Sequence, residues 1–187
     1  LNTPCVLLDL DLLDANIREM TDLTADAGVQ LRPHTKVHQS AWIAKRQFDA
    51  GACGIEVGTI DQAEVMASHG LHDVVVGHPF VGEHKLATLK RIVSNPRNKV
   101  WLVADMVEHA LGYAAVARGV GRELPVLLKI DTGGSRRYGV PPGEPAVKVA
   151  AQLAGIEGIR LAGVYGHEQG AMNTEEGLSS KAFEDAT

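Results

Sequence analysis

The segment 32–38, Arg-Pro-His-Thr-Lys-Val-His, places Lys36 between His34 and His38, directly after an apolar run. A lysine amine that emerges from a buried strand can act as a nucleophile toward an aldehyde. A Schiff base to a carbonyl cofactor is therefore the chemistry that Lys36 could perform. The alternative is a loop lysine beside two surface histidines.

Polar residues also follow the other predicted strands. They stand at positions 58–59, 77–79, 105, 129–139 and 165–170. Enzymes built on a (β/α) barrel carry their active sites at the carboxyl ends of the strands. The polar groups therefore predict a functional site at that end, although no single residue among them establishes it.

The elements that must position these residues alternate along the chain. Strands are predicted at 5–9, 29–34, 54–58, 73–78, 99–105, 125–131 and 159–167. Helical periodicity or capping signals predict helices at 10–23, 40–50, 59–70, 82–93, 107–118, 143–153 and 174–187. Apolar runs such as Val74-Val75-Val76 are typical of parallel strands buried on both faces. Right-handed crossovers leave two topologies, a doubly wound sheet or a barrel.

The length predicts an incomplete barrel. A complete (β/α)8 barrel needs about 250 residues, and 187 residues accommodate about six βα units. We therefore expect a piece of a longer protein, and the lack of an initiator methionine suggests a processed start. We expect residues 1–9 to form a strand that joins a separate β domain, and residues 10–187 to form the partial barrel.

Composition narrows the possible partners. A formal net charge of −5 argues against nucleic acid and anionic membranes. No apolar run approaches the roughly 20 residues of a membrane span. Two cysteines, in no motif spacing, are expected to be reduced thiols, which favours the cytoplasm.

Several ordered motifs resemble one family. The run 33–38 is similar to the Pro-His-x-Lys-Thr-His signature of the D-threonine aldolase and D-serine dehydratase family, which belongs to the fold type III pyridoxal-phosphate enzymes. Residues 3–9 and 77–82 resemble the same family, and residues 129–133 with 139–144 also resemble alanine racemases. The resemblance implies the alanine-racemase-type (β/α)8 barrel and pyridoxal 5'-phosphate as cofactor.

The resemblance also implies roles for individual residues. Lys36 would form the Schiff base and act as base or acid at the substrate's α-carbon. Either Arg136 or Arg137 would contact the phenolic oxygen of the cofactor, and the alternative is that both are exposed arginines. His167 would contact the cofactor ring, with Tyr165 as a possible second contact, and the alternative is a structural histidine.

At two further positions we expect this chain to differ from members of the family. Gln39 stands where the family often has another lysine. Lys129 corresponds to a lysine that is carbamylated in some alanine racemases, but we expect an ordinary barrel lysine that interacts with Asp131.

The resemblance places other parts of the site beyond Thr187. These are the glycine-rich phosphate loops and a C-terminal β domain that binds a divalent metal, Mn or Zn. The eight histidines of this chain show no metal-ligand spacing.

The function that follows is a lyase for small β-hydroxy-D-amino acids. A D-threonine-aldolase-type cleavage to glycine and an aldehyde comes first. D-serine or 3-hydroxyaspartate dehydration is second, and amino-acid (alanine) racemisation is third. A non-catalytic pyridoxal-phosphate carrier protein is the alternative from another class. The resemblance implies a homodimer.

Overall fold

Five parallel strands form a single sheet in the computed structural model, which describes residues 2–133 and 138–167. The strands are β1 Ile55–Val57, β2 Asp73–Val76, β3 Lys99–Ala104, β4 Leu124–Lys129 and β5 Ile159–Tyr165. Their order in the sheet is the order of the sequence, and each neighbouring pair is parallel. A doubly wound sheet reverses its strand order at a switch point. The observed order is therefore that of a partial barrel.

A helix precedes or follows each strand. The six helices of the described residues are α1 Leu10–Asp26, α2 Ala41–Asp49, α3 Ile60–Ser68, α4 Glu83–Val93, α5 Val107–Val120 and α6 Glu144–Ala154. The predicted capping box is present at α3, where Thr59 and Gln62 satisfy each other's backbone N–H groups. None of these helices is long and apolar enough to cross a membrane. The helix predicted at 174–187 lies outside the described residues.

The hydrophobic core lies between one face of the sheet and the helices. Val57, Val76 and Leu102 occupy matching register positions on β1, β2 and β3, and all are fully buried. Leu89 of α4 and Tyr113 of α5 belong to the same cluster. Because successive side chains of a strand point to opposite faces, the residues between these core positions face the interior of the barrel.

The two strands predicted nearest the N-terminus differ from the prediction. Residues 5–9 form no strand, and Val6 and Leu7 are 99% and 75% exposed, because no described segment pairs with them. Residues 29–34 lie alongside β1 but form only the isolated bridge between His34 and Glu56. Pro33 lacks the N–H that a longer ladder would need. The proposed union of residues 1–9 with another domain stays a prediction.

Candidate active site

A cavity of about 480 Å³ opens where the carboxyl ends of the strands converge. Its volume lies within the range of ordinary ligand and cofactor sites. Most of its lining is polar or titratable, which suits a site for chemistry. The residues that line it are His34, Lys36, Glu56, His78, Lys129, Ile130, Asp131, Thr132, Tyr138, Tyr165, Gly166 and His167.

Lys36 lies on a turn that is fixed to β1. The neighbouring Thr35 is 1% exposed, and its backbone N–H and Oγ1 both donate to the carbonyl of Glu56, at 2.9 and 3.1 Å. Gln39 N donates to the carbonyl of Thr35 at 2.8 Å and closes the turn. This arrangement leaves the side chain of Lys36 at the cavity mouth rather than in the packed interior.

The two histidines beside Lys36 have different roles. His34 lines the cavity, and its Nδ1 accepts the backbone N–H of Lys36 at 3.1 Å. His38 is absent from the lining, and its Nδ1 accepts the backbone N–H of Ser40, the N-cap of α2. Only His34 is therefore placed to take part in the chemistry of the cavity, while His38 shapes the entry into the helix.

Glu56 is a central residue that sequence reasoning missed. Tyr165 Oη donates to Glu56 Oε1 at 2.6 Å, and His34 Nε2 lies 3.6 Å from the same oxygen. The flanking Ile55 and Val57 are buried against the helices, so the two-residue period of the strand turns Glu56 toward the barrel interior. The sequence signal that could have identified Glu56 is a single carboxylate between the apolar residues of β1.

Burial sets the protonation of two cavity histidines. It is the largest cause that lowers the pKa of His34, where the negative charge of Glu56 acts in the opposite direction and the positive charge of Lys36 adds to the lowering. It is also the largest cause that lowers the pKa of His78, with Lys129 as the next. Both imidazoles are therefore neutral at pH 7, the form that can accept a proton.

Lys129 is a second amine in the cavity and is only 6% exposed. Its Nζ donates to the carbonyl of Gly77 at 3.4 Å and lies 5.5 and 5.4 Å from the ring centroids of Tyr138 and Tyr165. Burial lowers the pKa of Lys129, against the opposing charges of Asp105 and Glu56.

The expected pairing of Lys129 with Asp131 is wrong. Asp131 Oδ1 instead accepts the backbone N–H of Gly133 at 2.9 Å, which forms a local turn at the start of the loop after β4. Because the Asp131 carboxylate accepts this hydrogen bond within its own turn, it is drawn away from Lys129, two residues earlier.

The loop after β4 is closed at its base and joined to the loop after β5. Val140 N donates to Lys129 O at 2.8 Å and Asp131 N donates to Val140 O at 2.9 Å. Thr132 Oγ1 donates to the carbonyl of His167 at 2.7 Å. The loop returns to β4 with Tyr138 lining the cavity, while Arg136 and Arg137 lie outside the described residues.

Three predicted site residues therefore line one cavity: Lys36, Tyr165 and His167. Within residues 2–133 and 138–167, no group of three or more histidine, cysteine, aspartate or glutamate side chains could hold a metal ion. The described part of the site thus offers an amine, neutral imidazoles and a phenol. That set suits covalent attachment of an aldehyde and proton transfer.

Comparison with known proteins agrees with this geometry. The model of the family described as "Alanine racemase, N-terminal domain" matches residues 8–186. The 3-hydroxy-D-aspartate aldolase of Paracoccus denitrificans (strain Pd 1222) is 32% identical over 92% of this chain and 44% of its own length.

Two solved structures are similar over most or all of this chain. The D-threo-3-hydroxyaspartate dehydratase of Delftia sp. HT23 has a TM-score of 0.86 and 32% identity, covering 100% of this chain and 49% of that one. The D-threonine aldolase of Filomicrobium marinum has a TM-score of 0.82 and 34% identity, covering 87% of this chain and 43% of that one. The chain spans less than half the length of each of these proteins. It belongs to the alanine racemase N-terminal domain family of fold type III pyridoxal-phosphate enzymes.

Proposed function

We propose that the protein containing this chain is a pyridoxal-phosphate-dependent lyase that cleaves β-hydroxy-D-amino acids in the manner of a D-threonine aldolase. The observation that carries the proposal is the position of Lys36, whose amine lines the cavity at the carboxyl ends of the strands together with His34, Tyr165 and His167. Three relatives support the substrate class. They are named 3-hydroxy-D-aspartate aldolase, D-threo-3-hydroxyaspartate dehydratase and D-threonine aldolase.

The described residues fit this cofactor. Lys36 provides the primary amine that an aldehyde requires, and the cavity of about 480 Å³ accommodates a ring-sized group beside it. His167 and Tyr165 line the cavity, where they would contact the cofactor ring, and Arg136 or Arg137 would contact its phenolic oxygen. Bound there, the cofactor supplies an electron sink for charge that develops at the substrate's α-carbon.

The residues of this chain then move protons. In the aldolase reaction the β-hydroxyl loses its proton, the Cα–Cβ bond breaks to release an aldehyde, and the α-carbon gains a proton to become glycine. His78 presents a neutral imidazole in the cavity that can take up the hydroxyl proton. Lys36 would act as the acid that returns a proton at the α-carbon.

A dehydratase is the second candidate, because the similarity to the Delftia dehydratase extends over the entire chain. In that reaction the α-proton and the β-hydroxyl leave as water, and a second water molecule hydrolyses the released enamine to a keto acid and ammonia. Racemisation and non-catalytic cofactor carriage remain the third and fourth candidates. All four share the Lys36 site, so the products must distinguish them.

The test uses the full-length protein with D-threonine, D-serine and D-3-hydroxyaspartate as separate substrates. Glycine with an aldehyde indicates the aldolase, keto acid with ammonia the dehydratase, and L-isomer the racemase. Borohydride reduction of the loaded protein should fix the cofactor onto Lys36, as peptide mapping would show. Label on another lysine, or no product from any substrate, would overturn the proposal.

We further propose a homodimer in the cytoplasm that uses a divalent metal, Mn or Zn. Cys5 and Cys53 are free thiols in the structure, which suits a reducing compartment. The described residues do not form a metal site, so the metal would act through other parts of the protein. Light scattering of the full-length protein tests the homodimer, elemental analysis tests the metal, and cell fractionation tests the compartment.

A further inference from the structure

We propose that Glu56 is a positioning residue whose carboxylate ties the turn that carries Lys36 to Tyr165 across the cavity. Its part in catalysis rests on the proposed function, whereas its hold on the turn does not. The evidence for this role is that the backbone and the side chain of Glu56 both contact the segment 33–35, directly before Lys36.

The backbone of Glu56 bonds to the segment 33–35 at both of its polar groups. Glu56 N donates to Pro33 O at 2.8 Å, and Glu56 O accepts from both the N–H and the Oγ1 of Thr35. Any residue at position 56 could make these bonds. They fix Thr35 but leave the orientation of the next residue, Lys36, to other contacts.

The side chain supplies the missing restraint through His34. Because Nδ1 of His34 accepts the backbone N–H of Lys36, the neutral imidazole carries its proton on Nε2. That nitrogen faces Glu56 Oε1 at 3.6 Å. At that separation the contact is an electrostatic attraction rather than a direct hydrogen bond, and it favours the orientation of the imidazole that binds the Lys36 amide.

The same oxygen is anchored from the opposite side by Tyr165, at 2.6 Å. Hydrogen bonds to a charged carboxylate are roughly twice as strong as those between neutral groups. Gly77 makes room for this contact, since a Cβ there would lie 2.5 Å from Glu56 Oε1 and 2.9 Å from Tyr165 Oη. The relay thus runs from the Lys36 amide through His34 and Glu56 to β5.

The first experiment measures amide hydrogen exchange at single-residue resolution in the full-length protein without cofactor. Glu56→Leu should speed exchange of the Lys36 amide by about tenfold, the upper size expected for losing the hydrogen bond to the neutral His34 imidazole. Glu56→Gln, which keeps an acceptor but loses the charge, should give a smaller increase. The Thr35 amide should change by less than about twofold, because its partner is a backbone carbonyl.

The second experiment measures steady-state kinetics of the loaded enzyme. Glu56→Gln and Tyr165→Phe should each lower kcat by about 10- to 100-fold while KM stays within about threefold. The double variant should be no worse than the worse single variant, since both changes break one relay. Glu64→Gln is the matched control, because Glu64 pairs with Arg91 on the exposed surface of α3.

Two results would overturn the positioning role. One is a Lys36 amide whose exchange is unchanged in both Glu56 variants. The other is a multiplicative loss of kcat in the double variant, which would show that Glu56 and Tyr165 act separately. If the wild-type enzyme lacked lyase turnover, the proposed function would fail, but the exchange experiment would still decide the role of Glu56.

Discussion

Replacing Gly139 with alanine should destabilise the barrel, because the residue occupies a position that only glycine tolerates. Its φ is +108°, a region that costs an L-residue about 1–3 kcal/mol. An added Cβ would also lie 2.8 Å from both Lys129 O and Ile130 C. These are backbone atoms of β4 and the residue after it, so they cannot rotate away as the end of a side chain could.

The expected magnitude follows from these two costs. Relieving a contact that is shorter than the ordinary 3.5–4.0 Å carbon separation requires a shift of roughly 0.5–1 Å. Such a shift breaks the bond from Val140 N to Lys129 O, which contributes about 0.5–1.5 kcal/mol. Strain and bond loss together predict that Gly139→Ala lowers the free energy of unfolding by about 2–4 kcal/mol.

Urea unfolding of the full-length protein, followed by circular dichroism, measures this loss. Gly119→Ala is the matched control, because Gly119 lies in α5 with nothing within 4 Å of an added Cβ. Alanine has the better helix propensity, so the control should gain about 0.5–1 kcal/mol. A Gly139→Ala variant within about 0.5 kcal/mol of wild type would refute the closure of the loop after β4 at this point.

Three further substitutions probe the site and its surroundings. Lys36→Ala should lower turnover at least about a thousandfold, because the side chain carries the covalent chemistry. It should not shift the melting temperature, because the side chain is exposed. Activity assays check the first result and calorimetry checks the second. Gly77→Ala should push Glu56 and Tyr165 apart and lower kcat by about tenfold with little loss of stability, because flexible side chains can yield. Burial lowers the pKa of His38 below its ordinary value of 6.5, because the folded protein disfavours the charged imidazole. The neutral His38 side chain therefore contributes to the free energy of unfolding above pH 6.5, and this contribution is lost as the pH falls through the lowered pKa. His38→Asn keeps an acceptor but does not titrate, and should flatten the acid side of a stability-against-pH curve; an unchanged curve would contradict the assignment.

Local signals predicted most elements within a few residues of their observed bounds. The Thr59–Gln62 capping box marks the start of α3, and the unbroken Val74–Val76 run marks a strand buried on both faces. The failures occur where structure depends on a distant partner. Residues 5–9 have strand-like composition, but β structure requires a neighbouring strand, and the described residues provide none.

The amino-acid sequence alone determined the order of the βα units and the placement of a lysine at a strand end, because both follow from periodicity and from residues close together in the chain. Only the tertiary structure decided that the strand order is that of a barrel and that His34, rather than His38, faces the cavity with Lys36. It also joined Glu56 to Tyr165, 109 residues apart. A contact of that kind depends on how strands are placed side by side and on the space left by Gly77, which no local pattern encodes.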